Sequence, residues 1–152
     1  MDDFKIGQLT KELVAIELKK MVDPCAAAAE LVKKTLAVAL KSAPTDDAGR
    51  LNLIVDACKG GITGLLLAEQ SLSRGAVLMV EAVAELSTEF NLDPAEAMKA
   101  ALRGISDVHR FARADQLQEI RHEIETRFMG AGEAFSEVLE ESRRKTAAGK
   151  PA

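Results

Sequence analysis

A chain of 152 residues fits one ordinary domain that buries roughly 68–70% of its unfolded surface. Apolar residues make up 47% and aromatics 3%, five Phe with no Trp or Tyr, which leaves no Tyr or Trp platform for stacking single-stranded nucleic acid. The 20 basic and 24 acidic residues are interspersed for a formal charge of −4, so no broad basic face is expected and no nucleic-acid partner with it.

Met1-Asp2-Asp3 has the wrong charge for a secretory leader, and the first predicted helix covers about residues 4–22. Asp23-Pro24 then sets a carboxylate at the N-cap and proline at the first helical position, starting a helix over about 24–42. Its alanine run, Cys25 to Ala29, reads as a close-packing face, with Glu30, Lys33, Lys34 and Lys41 on the outer side. Ala43-Pro44-Thr45-Asp46-Asp47-Ala48-Gly49 is the strongest loop signal in the chain.

From Leu51 to Phe90 there is no proline. We divide this stretch at Ser71–Gly75, with one unbroken helix as the alternative. At about 100° per residue, Ala57, Gly61, Gly64, Ala68, Ser71 and Gly75 share one narrow stripe. Leu51, Ile54, Val55, Ile62, Leu65, Leu66 and Leu67 cover much of the remaining circumference, and Asn52, Asp56, Lys59, Thr63 and Gln70 form a thin polar strip. Such a helix is expected to be central and buried. Interior glycines cost about 0.8–1.0 kcal/mol each, so Gly60, Gly61 and Gly64 call for tight helix contacts to offset them. Ala57, Gly61, Gly64, Ala68 and Gly75 are therefore the expected packing or interface positions.

Asp93-Pro94 repeats the Asp-Pro start for a helix running to about Arg113. His109 lies there among Met98, Leu102, Ile105, Val108 and Ala112, the position of a half-buried imidazole with a polar-core or ligand role. The last helix is expected from about Asp115 to Arg144, with Leu117, Ile120, Ile124, Phe128, Ala131, Phe135 and Val138 on one face. Gly130-Ala131-Gly132 predicts a kink or short break within it. The expected architecture is all-α: a compact bundle of five to six helices around a buried, Gly/Ala-striped central helix. One domain should span 1–145, with a frayed tail over 146–152.

The chemistry-bearing candidates are sparse. Glu119-x-x-His122 has the spacing of a di-iron bundle motif, but that motif needs two such pairs and further glutamates. His122 also falls about 150° from the centre of its helix's apolar face, so no metal is expected. Lys59-Gly60-Gly61-Ile62-Thr63-Gly64 has the wrong order for a phosphate loop, and its charged flanks argue against a membrane-helix contact. Cys25 and Cys58 lack pair spacing and read as buried thiols of a reducing cytoplasm. The uncharged stretch Gly60–Ala68 is half the length of a membrane span.

No nucleophile–base pair or cofactor fingerprint is present, so neither catalysis nor a cofactor is expected. The expected activity is that of a cytoplasmic, bacterial-type helical interaction protein, working through a homo-oligomeric or partner-helix interface. In general character the Ala/Leu-rich helices also resemble phasin-type granule coats. That resemblance is of composition, and it implies a surface-active protein on a hydrophobic inclusion or membrane face.

Overall fold

Both predicted Asp-Pro helix starts carry their caps. The Asp23 carboxylate accepts from the Ala26 N–H at 3.3 Å, and the Asp93 carboxylate accepts from the Ala95 N–H at 3.1 Å. The computed structural model describes residues 6–18, 23–42 and 46–149. Within these lie α1 (Ile6–Leu18), α2 (Pro24–Ser42), α3 (Asp47–Leu67), α4 (Leu72–Glu89), α5 (Pro94–Ser106), a 3-10 turn (Asp107–Arg110), α6 (Ala114–Arg127) and α7 (Ala131–Gly149). There is no strand among the described residues. The predicted ends of the first helix at 4–5 and 19–22, and the loop residues 43–45, lie outside the described residues.

Among the described residues seven α-helices replace the expected five or six. The extra one arises because the break expected at Gly130-Ala131-Gly132 is complete, so that the helix expected over 115–144 is two. Phe128 leaves helical geometry, Gly130 sits at φ +90°, and α7 restarts at Ala131. It then runs to Gly149, into the segment read as tail, while 150–152 lie outside the described residues. The stretch 51–90 is divided, with the division beginning three residues before the expected Ser71–Gly75. Its break spans Ala68–Ser71, with Glu69 at φ 58° donating to the Leu66 carbonyl and Gln70 donating to the Leu65 carbonyl. This is the left-handed cap with its two return hydrogen bonds, built on glutamate instead of glycine. Asn91 at φ 56° closes α4 in the same way.

Odd-numbered helices pack on one another as α1·α3, α3·α5 and α5·α7, while α2·α4 and α4·α6 form a second layer. One hydrophobic cluster draws residues from all seven helices, with Leu36, Ile54, Leu65, Met79, Leu86, Ile105, Ile120 and Phe135 among its fully buried members. Its side chains are mostly aliphatic, as the low aromatic content requires.

At the centre, α3 touches α1, α2, α4, α5 and the 3-10 turn. Its small residues do not form one seam toward one neighbour. Gly60 and Gly64 face α1, whereas Gly61 faces Val32 of α2 and Met79 of α4. Gly75 is not on this helix; it lies in the first turn of α4 and is covered by Leu65. The stripe thus ends at Ala68, the C-cap of α3, the physical consequence of the Glu69 break.

Candidate functional site

Where α1 crosses α3, Gly7 and Gly60 let the two backbones meet. A β-carbon on Gly60 would run into the Gly7 carbonyl, and one on Gly7 would lie 2.8 Å from the Asp56 carbonyl oxygen. Ile6, Thr10 and Val14 point into the core from α1, and Gln8 and Glu12 point outward. Lys11 lies between these faces, with its backbone 3.1–3.3 Å from the places where Gly60 and Gly64 would carry β-carbons.

A second close approach positions the other wall. A β-carbon on Gly104 of α5 would strike the Val55 carbonyl of α3. The end of α5 therefore lies on α3, and the 3-10 turn follows beside it. Val108 buries itself and anchors that turn. Its carbonyl accepts from both the Phe111 and Ala112 N–H groups at 2.9 Å, leaving the Phe111 ring 66% exposed. Helix α5 was expected to reach Arg113; it stops at Ser106 because this tighter turn takes over.

Between these walls lies a cleft of about 560 Å³. Gln8 and Lys11 line it from α1, Asp56, Lys59 and Thr63 from α3, and Asp107, Arg110 and Phe111 from the turn. Arg110 pairs with Asp107 at 3.6 Å and sits 5.7 Å from the Phe111 ring centroid, a cation–π contact at the rim. Among the lining residues three cations stand against two carboxylates, and one of those carboxylates already serves Arg110. Aromatic rings and arginine, the pair that Phe111 and Arg110 form at this rim, are the residue types enriched at protein-contact surfaces.

The predicted site residues lie elsewhere. Ala57, Gly61, Gly64 and Gly75 are buried within the chain and Ala68 is half-buried. His109 shares the 3-10 turn but does not line the cleft. Its Nε2 is buried without a hydrogen-bond partner among the described residues. Burial pulls its imidazole below the usual histidine range; Asp107 opposes this, while Arg143 and Arg110 add to it.

Neither thiol is an activated nucleophile. Burial pushes Cys58 up to about 12, and it also raises Cys25, whose Sγ donates to the Ser71 carbonyl at 3.3 Å. His122 is exposed, and among the described residues no three His, Cys, Asp or Glu side chains gather as a metal site. No helix among the described residues is long and apolar enough to cross a membrane.

Sequence reasoning missed the cleft because its parts carry ordinary signals. Asp56, Lys59 and Thr63 were the polar strip of a buried helix, and Phe111 lay inside a predicted continuous helix. The shortening of α5 is what moves that ring onto the surface. No family model, curated protein or solved structure matches this chain.

Proposed function

We propose that this chain is a non-catalytic helical interaction protein that docks a helix of a partner, either a second copy or another protein, across the α1–α3 cleft. The observation that carries the reading is Phe111, 66% exposed at the rim of a concave, charged surface in a chain with only five aromatic residues. Large rings clustered with arginine supply the contact energy at many protein interfaces. The tight Gly7–Gly60 and Gly104–Val55 contacts support it further, because they hold both walls on rigid helices.

The test compares the parent with Phe111→Ala by affinity capture and by mass in solution, with flotation on neutral lipid droplets as a parallel arm. The expected result is loss of the partner, or of self-association, in Phe111→Ala at unchanged helical content. Undiminished association in Phe111→Ala overturns the reading. Partition of the parent onto droplets with a gain of helix favours the coat-protein function instead.

A further inference from the structure

The cleft has a complement on the same molecule. Helix α7 buries Ala131, Phe135 and Val138, and on its opposite side Glu133, Glu137 and Glu140 are exposed, followed one turn later by Arg144. Their i, i+4, i+7 spacing makes one row of carboxylates about 10 Å long at about 1.5 Å per residue. The other face of α7 is fixed on α5, α6 and the 3-10 turn, so the row cannot turn into the cleft of its own chain; Glu140 borders a groove with Gln118 and Arg121 of α6, while Glu133 and Glu137 stand outside that groove. The cleft, for its part, gathers Lys11, Lys59 and Arg110 from three separate elements against Asp56 and Asp107, and since Asp107 already pairs with Arg110, Lys11 and Lys59 are the cations it offers.

We propose that the cleft of one copy receives the acidic outer face of α7 from a second copy, with Lys11 and Lys59 meeting Glu137 and its neighbours. The proposal rests on the interaction reading above and names its partner. The two surfaces differ, so the contact is heterologous and joins copies head to tail unless the rotation closes a ring. Charge complementarity of this kind acts chiefly through association and weakens as salt screens it.

Sedimentation velocity over a concentration series, at about 50 mM and about 500 mM salt, tests this with Lys59→Glu, Glu137→Lys and their combination in one chain. Both positions are exposed, and circular dichroism with thermal melting verifies that each variant folds as the parent does. At low salt the parent's mass should rise with concentration above that of the 16.3 kDa chain, and high salt should return it there. Each single variant should weaken self-association about tenfold, and the combined variant should recover to within a few-fold of the parent. A parent that stays monomeric at low salt, single variants that associate as the parent does, or a combined variant that fails to recover would each overturn the proposal. Loss of partner capture in Phe111→Ala together with any of those results leaves the cleft as the interface and removes only the second copy as its occupant.

Discussion

Gly7 and Gly60 touch backbone to backbone: the Gly7 carbonyl occupies the space that a β-carbon on residue 60 would need. Alanine at position 60 gains up to about 1 kcal/mol of helix propensity, yet it must drive α1 and α3 apart at a contact where no side chain can swing away. We therefore expect Gly60→Ala to destabilise the fold by about 1–3 kcal/mol net, the range for overpacking a filled interior. Gly7→Ala should act in the same direction. The double variant should cost less than the two single changes added, because one separation of the helices relieves both clashes. Denaturant titration of the three variants measures this, and a more stable Gly60→Ala would contradict the close crossing.

Gly64 offers a separate check on the same helix. A β-carbon there would lie 2.7 Å from Val14 Cγ1 and 3.3 Å from the Lys11 carbonyl oxygen. Gly64→Leu should cost over about 2 kcal/mol through overpacking. Thr63→Leu, one residue away on the cleft side, is the control and should stay within about 0.5 kcal/mol of the parent.

Phe111 and Phe135 should behave oppositely in stability. Phe135 is fully buried, and its truncation to alanine should cost about 3–5 kcal/mol. Phe111→Ala should shift stability by no more than about 0.5 kcal/mol, since the ring makes little use of the core. A large loss in Phe111→Ala would mean that the ring supports the fold and is not held ready for a partner.

Local signals decided which elements could be read from the sequence. Pro24 and Pro94 fix helix starts in one step, and the Leu, Ile and Ala periodicities identify α3 as the buried centre. The α3–α4 break is harder to read because Glu69 occupies a left-handed cap where glycine or asparagine is usual. Asn91, in the same geometry at the end of α4, carries the familiar signal. The cleft was not legible at all. Its closeness depends on Gly7 meeting Gly60 and Gly104 meeting Val55, pairings that no periodicity within one helix contains.

His109 should make stability depend on pH near neutrality. Its imidazole titrates below the ordinary value of 6.5 in the fold, chiefly because burial disfavours the charged ring. The unfolded chain therefore binds this proton more readily. The contribution is complete above pH 6.5 and is lost as pH falls toward the lower folded value. His109→Gln should flatten that part of the stability–pH curve. An NMR titration placing His109 above 6.5 would reverse the sign and refute the burial argument.

The α6–α7 turn depends on one carboxylate. Glu125 accepts from the Gly130 N–H at 3.0 Å and from the Gly132 N–H at 2.8 Å, so it satisfies donors at the start of α7 from the last turn of α6. Those two N–H groups, Gly130 first, hold its carboxyl below the ordinary 4.5, with Arg121 assisting and burial opposing. The unfolded chain protonates more readily here as well, but for an acid the consequence falls in a different window. The stabilisation is complete above pH 4.5 and disappears as pH drops through the lower folded value. Glu125→Gln keeps the shape and one acceptor but removes the charge, so it should lower the melting temperature at pH 7 and lose most of its difference from the parent in strong acid. Gly130 tests the geometry independently. At φ +90° a β-carbon there meets no neighbouring atom, so any penalty for Gly130→Ala comes from the backbone alone and should be about 1–2 kcal/mol. Neutral behaviour of Gly130→Ala would mean that α6 and α7 are joined without the left-handed step, and the capping role of Glu125 would fall with it.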